Sequence, residues 1–208
     1  MNYVVNNPAL VMNLLWEHLQ MVGISCLLAI ALAIPLSLLI TNYPRLGTAV
    51  MGGLGVIYTI PSLALIILFV PWLGLSNKPV ILAMVLYCQV ILVRNLVVGL
   101  QEIAPEIREA AQGMGMNSWQ TWWWVEVPLV LPLFLAGVRL GAIVVIAVAT
   151  IGAKFGAGGL GTLLFEGIAA DRYDKIWAGV ILIILLALGI NTGLLLLERK
   201  AKGNFSRV

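Results

Sequence analysis

The run IWAGVILIILLALGINTGLLLL (Ile176–Leu197), followed at once by Glu198-Arg199-Lys200-Ala201-Lys202, decides the class of fold. An uncharged helix of that length rises roughly 30 Å, the thickness of a bilayer's hydrocarbon core, and the basic cluster behind it halts transfer and marks a cytoplasmic end. The rest of the chain has the same character. Of its 208 residues 62% are hydrophobic and 10% charged, with a mean hydropathy of +1.05, whereas soluble domains approach about a quarter charged residues. The chain is therefore expected to be an all-α, multi-pass membrane protein with no separate soluble domain.

Working back from Ile176, four further spans are expected near residues 19–41, 46–70, 79–100 and 127–152. The stretch 8–18 sets Leu10, Leu14 and Leu15 against Asn13 and Glu17, so it reads as a segment lying along the interface or continuing into the first span. Five spans with a cytoplasmic C-terminus put the N-terminus and Lys78 outside, and Arg45 and Arg108 inside. Residues 1–18 lack a basic n-region and a small-residue cleavage site, so they are expected to be retained. His18 has no Cys or second His near it and reads as an interfacial polar residue, not a metal ligand. Cys26 and Cys88 lie in apolar runs and are expected to be free thiols. The formal charge of +3 is spread along the chain without a basic stripe, which argues against nucleic acid.

Within the spans a few residues stand out. The second carries Gly47, Gly52, Gly53 and Gly55 and then Tyr58-Thr59-Ile60-Pro61-Ser62; small residues let helices approach, and a mid-span proline frees a carbonyl that a neighbour or a water-lined cavity must satisfy. Helix packing and a pathway lining (Tyr58, Pro61, Ser62) are both open readings. Tyr87 and Gln89 in the third span, an aromatic and an amide inside an apolar run, are pathway candidates too. Arg94 and Arg139 lie inside spans, where an unpaired arginine costs at least about 2.5–3.5 kcal/mol. Arg94 can snorkel or line a pathway; Arg139 is expected to pair with helix-end carbonyls or with Glu102 or Glu126, and is a pathway candidate as well.

The segment Gln101–Glu126 is much longer than the ~2–8 residues that join two helices. Pro105 opens a helix that Gly113 and Gly115 close, and Asn117 or Ser118 caps a second carrying Trp119, Trp122, Trp123 and Trp124. The tryptophans suit a membrane–water boundary. A short helix, turn and helix on the cytoplasmic face also makes a knob for a soluble partner.

At this segment the sequence resembles the bacterial ABC-importer permeases. Their cytoplasmic signature is Glu-Ala-Ala, three residues, Gly, nine residues, Ile, one residue, Leu-Pro. Here it stands as Glu109, Ala110, Ala111, Gly115, Val125, Val127 and Pro128, with spacing kept and two aliphatic exchanges. Tyr58–Ala64, Val93-Arg94-Asn95, Ala136–Arg139 and Gly156–Gly161 look like the corresponding stretches of permeases for quaternary-ammonium osmoprotectants (glycine betaine, carnitine, choline). Methionine-importer permeases are similar in size and signature and form the alternative.

The resemblance implies a type I ABC-importer permease in a bacterial cytoplasmic membrane. It further implies two such subunits, identical or paralogous, forming the pathway, with two cytoplasmic ATPases below and an extracytoplasmic substrate-binding protein above. Glu109, Ala110, Ala111, Gly115, Met116, Val125, Val127 and Pro128 would meet the ATPase. ATP and Mg would be bound by that partner, because this chain has no G-x-x-x-x-G-K-[ST] loop and no cofactor of its own. Gly156, Gly158 and Gly161 fit G-x-G-x-x-G, but with no preceding strand pattern they read as an outer turn. An ion-coupled carrier or channel would need buried acidic residues and internal repeats, and neither is evident.

Overall fold

The computed structural model describes residues 2–205, and among them every regular element is helical. A short α1 (Asn2–Asn6) leads into α2 (Pro8–Asn42), a single helix that absorbs both the 8–18 stretch and the first expected span. Pro8 opens it without losing a hydrogen bond, because the first turn's N–H groups have no intrahelical acceptors. Pro35 is accommodated inside it; Ser37 Oγ donates to Ala33 O (2.6 Å) and Thr41 Oγ1 to Ser37 O (2.8 Å) along the following turns.

The second expected span is not one straight helix. It divides into α3 (Pro44–Thr59) and α4 (Ser62–Leu73), which meet at 96°. Ile60 and Pro61 are extended between them, as expected where proline removes a donor and biases its predecessor away from helix. Next come α5 (Asn77–Gln101), the cytoplasmic α6 (Pro105–Gly113), a four-residue α7 (Ser118–Thr121) and a π-helical turn, Trp122–Glu126, running directly into α8 (Val127–Gly152). The expected second cytoplasmic helix is thus the first stretch of a continuous helical rod, Ser118–Phe155. After a 3₁₀ turn and the glycine-rich turn come α9 (Gly161–Ala169) and α10 (Tyr173–Phe205).

α5 is the axis of the bundle, packed between α2 and α8. Its contact with α8 is close because α8 presents glycines: a Cβ on Gly141 would stand 2.6 Å from Cys88 Sγ, and one on Gly137 3.0 Å from Asn95 Cβ. In lipid, where apolar surface gains little by leaving its solvent, such backbone approach supplies the packing. Both cysteines are free.

The two ends of the bundle differ. At one, Thr41, Asn42, Arg108 and Glu126 surround a common cavity, and the basic end of α10 places this side in the cytoplasm. At the other, Gly159 N–H donates to Glu17 (2.9 Å), Gly156 lies against Leu75, and Tyr3 packs beneath Arg172 and Lys175. Two acidic residues of that outer loop are ion-paired, Asp174 with Arg172 (2.7 Å) and Glu166 with Lys175. His18 corrects its expectation. It is fully buried, because the Gly158-Gly159 turn folds over it and leaves no interface for the ring to occupy.

Candidate functional site

Two regions carry chemistry beyond packing, and the cytoplasmic knob is the first. Pro105 occupies the first turn of α6, with acidic Glu106 at the positive end of the helix. At the other end, Met114 N–H donates to Ala110 O (3.0 Å) and Met116 N–H to Ala111 O (3.1 Å), with Gly115 between them at φ +82°. Only glycine takes that left-handed conformation without strain, so the chain reverses here. Asn117 and Gln120 then form a reciprocal capping box, each side chain bonded to the other's backbone N–H at 2.9 Å.

The result is a rigid corner. Glu109, Ala110 and Gly115 face outward, Ala111 is buried against the rest of the segment, and Met116, Val125, Val127 and Pro128 are half-buried behind it. Arg108 ties the corner to the bundle, its Nε 2.7 Å from Glu126 and its Nη2 donating to Leu100 O at 2.9 Å. Trp119 and Trp123 meet edge to face at 5.6 Å, and both are exposed with Trp124 along the boundary.

The second region is the break between α3 and α4. Tyr87 of α5 donates its hydroxyl to Ile60 O, the carbonyl left without a helical partner at the bend. Tyr58 stacks on Tyr87 edge to face at 5.4 Å and is itself 42% exposed, with Pro61 exposed and Ser62 half-buried beside it. An aromatic pair is thereby held rigidly at mid-span with one ring open.

The other pathway candidates separate. Gln89 is buried, and its Nε2 donates to Ala29 O (2.9 Å), clamping α5 to α2. Arg139 does not reach Glu102 or Glu126: its Nε is 3.2 Å from Glu198 and its Nη1 3.3 Å from Asn191, both on α10. Glu198 also receives Lys202 at 2.8 Å. Sequence reading placed Glu198 in the stop-transfer cluster and missed this role; the one available signal was an acidic residue heading an otherwise basic run. Arg94 is exposed and, among the described residues, has neither ion-pair partner nor hydrogen bond.

The chain matches, over residues 20–203, the family described as "Binding-protein-dependent transport system inner membrane component". It belongs to that family. It is 37% identical to the carnitine transport permease protein OpuCB of Listeria monocytogenes over 88% of this chain and 84% of the relative. It is likewise 37% identical to the osmoprotectant import permease protein OsmW of Salmonella typhimurium, over 90% and 89%. Among solved structures, the inward-facing MetNI methionine ABC transporter superposes with a TM-score of 0.81 at 20% identity, covering 94% of this chain and 98% of that one. The fold is that of an ABC-importer permease, and this chain is a multi-pass inner membrane component of a binding-protein-dependent transport system.

Proposed function

We propose that this permease carries a quaternary-ammonium compatible solute (glycine betaine, carnitine or choline) across the bacterial cytoplasmic membrane. The observation that carries the reading is the likeness, over nearly the whole chain, to carnitine and osmoprotectant permeases. The Tyr58–Tyr87 pair supports it, because a ring face open at mid-span attracts a cation that cannot donate hydrogen bonds. The whole chain acts as one transmembrane domain with the 101–126 segment as its coupling element. Two permease subunits form the pathway, and two ATPases, binding ATP and Mg, perform the hydrolysis; this chain is not itself a catalyst.

The corner formed by Glu109, Ala110, Gly115 and Met116 seats on the ATPase. Because α7, the π turn and α8 are one rod and Arg108–Glu126 locks α6 to it, movement of the corner shifts the bundle between two packed arrangements instead of being absorbed locally. Uptake of radiolabelled glycine betaine, carnitine, choline and methionine, in cells expressing the complete transporter with and without this subunit, tests the reading. Subunit-dependent uptake of a quaternary ammonium compound is expected. Methionine uptake alone would overturn the cargo and leave the family assignment standing.

A further inference from the structure

Although α5 is the bundle's central helix, one stripe along it is only partly covered, and it opens towards the cytoplasmic end. Leu86 and Val90 are half-buried, and Arg94, Val98 and Gln101 are exposed, following one another at three- and four-residue intervals as one helix face must. Arg94 sits on it about 10 Å inside the end of the helix at Gln101. Arg139, the other arginine within a span, meets a carboxylate, as Arg108 does in the cytoplasmic segment, whereas Arg94 meets none among the described residues. A guanidinium this far from the helix end is costly against lipid unless it snorkels, and a stripe that faces water or a charged ligand removes that cost.

Tyr87 lies seven residues, two turns, before Arg94 and so shares its side of α5, and Tyr87 carries the exposed Tyr58 ring. An aromatic station and a cationic station therefore succeed one another along one helix face. To an onium ion alone the arginine is repulsive. To an onium that also bears a carboxylate, it offers a planar fork of donors matched to the anionic end.

We propose that Arg94 receives the carboxylate of a zwitterionic cargo on the cytoplasmic side of the tyrosine pair, and so favours betaine-type solutes over quaternary ammonium compounds that lack a carboxylate. The inference rests on the proposed cargo class. The two positions are about 10 Å apart along the helix axis, so the stations act in succession.

The test uses the complete transporter reconstituted in liposomes, with permease content measured by quantitative immunoblot. Uptake of glycine betaine, carnitine and choline is compared for the wild type, Arg94→Lys and Arg94→Gln. Arg94→Gln should lower glycine betaine and carnitine uptake about tenfold or more, the loss expected for one hydrogen bond to a charged group, while choline uptake is unchanged or raised. Arg94→Lys should keep much of the betaine uptake. An equal loss for all three cargoes, or unchanged betaine uptake, overturns the assignment. A wild type that carries none of the three overturns the cargo reading itself, so the two failures are distinguishable. If Arg94→Gln does not accumulate, Arg94→Cys treated with a membrane-impermeant trimethylammonium thiosulfonate decides: labelling that restores betaine uptake is expected, and no labelling above the wild type excludes a water-facing residue.

Discussion

Arg139 of α8 and Glu198 of α10 are 59 residues apart in the chain and meet at 3.2 Å inside the bundle, where the glutamate side chain keeps only 7% of its exposure. Removing Glu198 leaves the largely buried Arg139 charge with only the neutral Asn191 beside it. Glu198→Ala should therefore destabilise the protein by about 3 kcal/mol. Arg139→Met with Glu198→Leu should recover most of that loss. Thermal unfolding in detergent, followed by tryptophan fluorescence and analysed as a double-mutant cycle, checks both.

Gly115 combines a positive φ with an outward-facing position at the tip of the corner. Gly115→Trp should reduce co-purification of the ATPase about tenfold or more, as for a hot-spot contact, while membrane insertion stays normal. Normal co-purification of this variant would remove the docking role.

At the broken span, the exposed face of Tyr58 is the part expected to meet cargo, and the Tyr87 hydroxyl holds the bend. Tyr58→Leu should raise KM for a quaternary ammonium cargo about 5- to 30-fold, the worth of a partly desolvated cation–π contact, and Tyr58→Phe should leave it near the wild-type value. Tyr87→Phe keeps the ring but orphans the Ile60 carbonyl, so it should lower the maximal rate more than it changes KM. Initial-rate uptake over a range of concentrations separates these outcomes.

The outer glycine-rich turn makes a different prediction. A Cβ on Gly161 would collide with the Thr150 carbonyl, a backbone atom that cannot step aside. Gly161→Ala should cost about 1–3 kcal/mol through overpacking. Gly158→Ala, where φ is +77° and Glu17 crowds the site, should loosen the tie between this turn and α2. Limited proteolysis from the outer face should then cleave near residues 156–160 faster than in the wild type.

Hydropathy makes the long helices readable because a bilayer imposes length and apolarity on each of them, and the corner was readable because proline, glycine and asparagine at its junctions have few conformational alternatives. What escaped depends on direction and on partners. A hydropathy window measures how much apolar chain is present and is blind to a 96° turn at Ile60-Pro61. The expectation for Arg139 looked to Glu102 and Glu126 because both precede it nearby in the chain, whereas Glu198 becomes its neighbour only once α10 packs on α8. His18 was misread for a related reason: nothing in its local sequence announces that a turn 140 residues later will close over it. Of the candidate pathway residues, Tyr58 and Tyr87 were brought together, Gln89 became a clamp and Arg94 stayed open.

The π-helical turn at Trp122–Glu126 joins the corner to α8 with one residue more per hydrogen-bonded ring than the helix around it. It interrupts the regular helix of a shaft about 57 Å long, which also carries Pro132 and ends in a 3₁₀ turn. The rod is nonetheless continuous. A displacement of the cytoplasmic tip should therefore be carried along the shaft to Phe155, so that the corner and the outer end of α8 move together.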